Sequence, residues 1–163
     1  MKIIHIITSL GDGGAEHTLY KICKYDNNKH VVISLKGQGK YYTLLKKLGI
    51  KVYCLNMNFF SINKFFYLKN LLISLNPDVV QTWLVHADFF GGLAARFAGI
   101  KNIIWNIRYS NFKIGKTKFT TVLIVKLLVK LSPIIPQSII INSKRAKKVF
   151  TLKGYYKKKF KFI

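Results

Sequence analysis

Acidic residues are scarce: five Asp and Glu stand against 28 Lys and Arg in 163 residues, and none follows Asp88. No DxD segment is present that could carry a metal-bound diphosphate. Cysteine is equally sparse. Cys23 and Cys54 lie in apolar runs without CxxC spacing or a neighbouring His pattern, and read as reduced core residues of a cytosolic protein. Long hydrophobic runs are missing too. The opening "IIHII" is interrupted by Thr8, Ser9 and glycines before it reaches the length of an export signal. "TTVLIVKLLVKLSPIIP" is broken by Lys126, Lys130 and Pro133, short of the roughly 20 apolar residues that span a bilayer.

The basic excess gives a formal charge of +23 and an isoelectric point near 10.2. Seventeen basic residues follow Asp88, so the C-terminal half is strongly cationic. Such a field favours phosphate-rich partners, whether nucleic acid, an anionic membrane or a pyrophosphate-bearing substrate, and says nothing about fold. Abundant Lys, Ile, Asn, Phe and Tyr also fit drift in an AT-rich genome, with the charge spread over a solvated surface. No helix-turn-helix, zinc finger or RNP-like strand supports nucleic-acid recognition, so a basic nucleic-acid module is the less favoured reading.

Short runs rich in β-branched residues alternate with stretches of helical period. Strands are expected at 2–8, 30–35, 50–56, 78–83, 101–107 and 137–143, and helices at 14–25, 40–48, 61–75, 87–98, 117–131 and 144–153. Continuously apolar strands imply burial on both faces. Glycine or proline closes five of the helices. The alternation specifies a Rossmann-like α/β fold, a parallel sheet of about six to seven strands with helices on both faces. One domain over 1–158 is expected, with 159–163 beginning a connection to a further domain.

"SLGDGGAEHTLYKI" (9–22) joins the first strand to the first helix, where open parallel sheets bind ligands. A dinucleotide fingerprint fails because Glu16 takes the third glycine position and no acid ends the second strand; no GK[ST] marks a P-loop. What remains is a glycine turn at Gly13 and Gly14 that lets a substrate approach the backbone, or a tight turn and nothing more. Glu16 in the first helical turn complements the helix dipole.

Three segments together resemble the retaining glycosyltransferases of family 4, the GT-B enzymes of bacterial envelope glycan synthesis. They are "MKIIHIITSLGDGGAEHTLYKIC", "NPDVVQTWLVHADFFGGLAARFAGIKNIIWNIRYS" (76–110) and "IIINSKRAKKVFTLKGYYKKKFKFI" (139–163). The resemblance implies an N-terminal, acceptor-binding domain, with a second domain holding a UDP- or GDP-sugar without a metal. That domain would follow Ile163, so this chain alone is expected to be inactive. His86 matches the histidine such enzymes place against the transferred sugar. Relatives often show IRHS where this chain has IRYS, so Tyr109 cannot supply imidazole chemistry.

Several further residues are candidates. Trp83 and Arg108 end the fourth and fifth strands and are expected to point into one crevice, Arg108 toward an acceptor phosphate or carboxylate. Gly13, Gly14 and Glu16 would complete the acceptor and diphosphate region. His5 and His30 read as structural, while His17 could face solvent or the cleft. Ser143 reads as a helix N-cap, and Gly91, Gly92, Ala94 and Ala95 as packing positions. No His pair has metal-ligand spacing. Lys113, Lys116, Lys118, Lys126 and Lys130 on an apolar helical stretch suit an anionic membrane surface, which a lipid-linked acceptor on the cytoplasmic face would share; the alternative is a core helix with exposed lysines.

Overall fold

The computed structural model describes residues 1–58, 61–108 and 119–163. In chain order the elements are β1 (Lys2–Ile7), α1 (Gly14–Tyr25), β2 (Lys29–Ser34), α2 (Lys40–Lys47), β3 (Lys51–Cys54), α3 (Ile62–Leu75), β4 (Val79–Trp83), α4 (Val85–Phe97), β5 (Ile103–Ile107), α5 (Phe119–Leu131), β6 (Ser138–Ile141), α6 (Lys144–Leu152) and β7 (Phe160–Phe162). All strand pairs are parallel, in the order β3-β2-β1-β4-β5-β6-β7. The expected Rossmann-like architecture is therefore present.

The side-chain period of two divides the core between the faces of the sheet. Ile4, Ile6, Val31 and Ile33 pack in one cluster with Leu68 and Leu72 of α3, Ala94 of α4, Leu128 of α5 and Phe150 of α6. Ile7, Val32 and Trp83 pack in the other with Leu19 of α1 and Leu45 of α2. Helix ends follow the sequence signals. Gly49, Gly99 and Gly154 have φ of +76°, +81° and +94° just beyond α2, α4 and α6, and Asn76 closes α3 in the left-handed region before Pro77. The Ser143 hydroxyl accepts from the Ala146 amide at 3.0 Å, the expected N-cap.

Most element ends fall within one or two residues of expectation, and two differences matter for the architecture. Residues 160–162, read as the start of a connection, pair with β6 as a seventh strand, because the open edge of β6 offers unpaired amides and carbonyls to the Phe160-Lys161-Phe162 segment. Helix α4 begins at Val85, two residues early, because Leu84 turns the chain sharply into it. The start of the expected 117–131 helix lies outside the described residues.

Gly91 and Gly92 let α4 lie close on the sheet. A Cβ at Gly91 would come within 2.9 Å of the Ile6 side chain, and one at Gly92 within 2.9 Å of the Trp105 indole nitrogen. Alanine at position 91 gains helix propensity of about 1 kcal/mol, but crowding a closed core costs about 1–3 kcal/mol. Gly91→Ala is expected to destabilise the fold by up to about 2 kcal/mol net in urea denaturation. Gly14→Ala, whose Cβ meets nothing within 4 Å, is expected to be neutral or slightly stabilising.

Candidate functional site

Strands β1 to β3 step outward in one direction and β4 to β7 in the other, so the reversal falls between β1 and β4. The helix that follows each strand leaves on a different face there, and a crevice opens beyond the carboxyl ends. A cavity of about 230 Å³ occupies this edge, lined by Thr8, Leu35, Lys36, Met57, Asn58, His86, Phe90, Thr120 and Thr121. Leu35, Met57 and Phe90 give it an apolar wall. Hydroxyl, amide and imidazole groups supply donors and acceptors, and Lys36 is the charged group of the lining. The Thr8 hydroxyl oxygen is buried and has no hydrogen-bond partner among the described residues. Such an arrangement suits one small polyhydroxylated group against an apolar wall.

His86 reaches this cavity because of the bend before α4. Leu84, the N-cap, has φ +72° and ψ +156°, a region L side chains rarely occupy. The bend is tied across its base: the Thr82 hydroxyl on β4 donates to Asp88 Oδ1 in the first turn of α4 at 2.6 Å, with both residues buried. Burial pushes the Asp88 carboxyl well above the usual carboxylate range, opposed by the Thr82 hydrogen bond.

In the glycine loop Glu16 stands in the first turn of α1, as expected. Glu16 is buried, and its carboxylate folds back so that a Cβ at Gly13 would lie 2.5 Å from Oε2. Ser9 Oγ donates to Oε1 over a long 3.5 Å. A carboxylate thus already sits at this end of α1, which opposes a phosphate in the same place. A close approach between two stretches of the chain's own backbone occurs at Gly39, a position the sequence reading missed: a Cβ there would run into the Leu10 carbonyl, the acceptor for the Tyr41 amide. Its signal, a glycine just before a helix after the second strand, was present but undistinguished.

Trp83 and Arg108 do meet, with the guanidinium 5.5 Å from the indole centroid. Trp83 does not face a crevice, however: it is fully buried, and its Nε1–H donates to His5 Nδ1 at 3.3 Å. Its aromatic bulk was needed by the core. Arg108, partly buried, lines a separate cavity of only about 10 Å³ with Leu84, Val85, Asp88, Ile107, Phe150 and Tyr155, not the one with His86. Desolvation lowers its pKa, and its Nε lacks a partner among the described residues.

His17 is exposed, with Nδ1 3.1 Å from the Tyr41 hydroxyl. His5 and His30 are buried as expected and lie 3.0 Å apart through Nε2 and Nδ1. Lys126 and Lys130 are exposed on α5 beside Phe119, Val122 and Leu123, whereas Lys113, Lys116, Lys118 and Tyr109 lie outside the described residues. Among the described residues no helix is long and apolar enough to cross a membrane.

No protein-family model and no curated protein matches the chain. Solved structures do. Anabaena HepE in complex with UDP superposes at TM-score 0.83 with 20% identity over 100% of this chain and 43% of HepE. A glycosyltransferase from Rickettsia africae gives 0.72, 14% identity, 99% and 42%. A UDP-N-acetylglucosamine 2-epimerase from Rickettsia bellii gives 0.61, 17%, 99% and 44%. The chain thus has the Rossmann-like fold found in GT-B glycosyltransferase structures and spans less than half the length of these neighbours.

Asp88 yields a prediction with a definite sign. A carboxyl whose folded-state pKa is raised supports folding fully below its unfolded value near 3.8, and that support fades as pH rises through the folded value. Asp88→Asn keeps an oxygen acceptor for Thr82 and removes the titration. It is expected to be at least as stable as the parent in mildly alkaline buffer and to flatten the pH dependence. Asp88→Ala leaves the Thr82 hydroxyl only the Ile104 carbonyl at 3.4 Å and is expected to cost about 1–3 kcal/mol. Urea denaturation of the three proteins across the acid-to-alkaline range checks both.

Proposed function

We propose that this chain is the acceptor-binding half of a retaining GT-B glycosyltransferase of family 4. It would move a sugar from a UDP- or GDP-sugar to a lipid-linked or polysaccharide acceptor in bacterial envelope glycan synthesis. The observation that carries the reading is the His86 cavity at the reversal point of a sheet that superposes on HepE, a protein solved with UDP and with UDP-glucose. The sequence resemblance over residues 76–110 supports it independently.

In this reading the acceptor enters the 230 Å³ cavity. Thr8, Asn58, Thr120 and Thr121 hydrogen-bond its hydroxyls, and Phe90 and Met57 exclude water from one side. The His86 imidazole hydrogen-bonds a hydroxyl of the transferred sugar and helps offset the oxocarbenium-like charge of the transition state, an interaction that counts only if the geometry is fixed beforehand. Gly14, with open space where a side chain would stand, admits the acceptor to the backbone. Arg108, beside Leu84 and Asp88 rather than in this cavity, takes no acceptor contact in this reading. A second domain holds the nucleotide, and no metal takes part in the transfer. The outer face of α5 rests on the anionic inner face of the cytoplasmic membrane, Phe119, Val122 and Leu123 meeting the headgroup boundary and Lys126 and Lys130 its charge.

Transfer of labelled sugar from UDP- and GDP-sugars to membrane-extract acceptors tests the reading. A protein joining this chain to a donor domain is expected to transfer, and His86→Ala to lower kcat by about 100-fold or more. The 163-residue chain alone is expected to show no turnover, because reaction requires donor and acceptor held together. Turnover by the single chain, or an unchanged His86→Ala rate, overturns the corresponding part.

The membrane face has its own test. With about 1 kcal/mol of attraction per lysine, the pair Lys126→Gln and Lys130→Gln is expected to weaken binding to phosphatidylserine-containing vesicles about 30-fold. Binding to neutral vesicles should barely change. Tight, steeply salt-dependent DNA or RNA binding in parallel would instead favour the nucleic-acid reading.

A further inference from the structure

Away from the crevice, at the amino-terminal side of the sheet, the fold gathers three residues that sequence spacing kept apart. His5 lies within β1, His30 near the start of β2, and Cys23 in the last turn of α1. One donor atom from each lies within 4.8 Å of the other two, and all three residues are buried. We propose that His5, Cys23 and His30 form a binding site for a thiophilic divalent cation of the zinc class, which pins the end of α1 to the two strands beneath it.

The chemistry of the donors fits. One thiolate with two imidazoles is a borderline-soft set that selects zinc-like ions over calcium or magnesium. Burial holds the His5 pKa down to about 3, so the imidazole is neutral and able to ligate. The Cys23 thiol, pushed up to about 12 by burial, gives its proton to solvent as the sulfur–metal bond forms. His5 Nε2 and His30 Nδ1 already face each other at 3.0 Å. With the ion between them, the proton on His5 moves to Nδ1, and the Gln81 side chain is a hydrogen-bond partner of the ring. The long Trp83 bond to that atom is given up in exchange for three metal–ligand bonds.

A second observation comes from the far side of His30. Its Nε2 is buried without a hydrogen bond, yet stands 3.3 Å from Asp26 Oδ2. A carboxylate behind a histidine in this way orients the ring and raises its basicity toward a metal. Asp26 is partly exposed, its side chain retaining 37% of its accessible surface, so an ion has a route inward past it to an otherwise closed site.

Cobalt(II) titration of the chelator-treated chain tests the site independently of any sugar transfer. One equivalent is expected to give a sulfur-to-cobalt charge-transfer band with tetrahedral visible bands, displaced by zinc. The band should vanish in Cys23→Ala and persist in Cys54→Ala, with circular dichroism confirming that each variant folds. Asp26→Asn should keep the band and bind about 10–100-fold more weakly. A folded parent chain with no sulfur band, a band that survives Cys23→Ala, or undiminished affinity in Asp26→Asn overturns the assignment.

Discussion

The position of β1 between β2 and β4 governs the rest of the molecule. Its backbone pairs on both sides, and Ile4, His5, Ile6 and Ile7 are buried whichever face they point to. A strand enclosed in this way must be apolar, or any polar side chain must find partners inside. That one requirement accounts for the opening "KIIHII" and for the cluster around its exception, where Trp83 and His30 are drawn onto His5. It also fixes the crevice, since the chain can reverse the direction in which it adds strands only on either side of the first one laid down.

Against that frame the five acids take on specific roles. Asp78 accepts the Lys2 amide at 2.7 Å where β1 begins. Asp26 accepts from Asn28 and faces His30, Asp88 accepts from Thr82, and Asp12 pairs with Lys40 across the loops of β1 and β2. Glu16 turns onto its own glycine loop. Each acid is engaged by the fold, and none lines the His86 cavity. The charge of +23 is therefore not offset where a ligand would enter, and an anionic ligand would meet no carboxylate in the lining.

Elements whose cause is local were legible in the sequence. Apolar β-branched runs, terminating glycines and the Ser143 cap each state their structure within a few residues, so the strands, helices and fold class followed. The edge pairing of residues 160–162 was not legible, because it depends on β6 having an open side. The site divides the same way. His86 was placed by its position after β4, but Thr8, Lys36, Asn58, Thr120 and Thr121 converge from four separate segments, and no spacing joins them. Trp83 was misread for a related reason. A tryptophan ending a strand looks alike from sequence whether its ring turns to the crevice or to the core, and here the choice was made by His5, 78 residues away.

The bend at Leu84 ties stability to the site. A leucine in this backbone region costs on the order of 1–3 kcal/mol and persists only where its surroundings over-determine it. Those surroundings are specific: the short Thr82–Asp88 bond spans the bend, and Gly91 and Gly92 let the following helix sink onto Ile6 and Trp105. The tight helix packing and the strained turn thus share a cause, a helix that must start immediately at the strand end. Starting it one or two residues later would relax Leu84. It would also carry His86 along the chain direction and off the cavity wall.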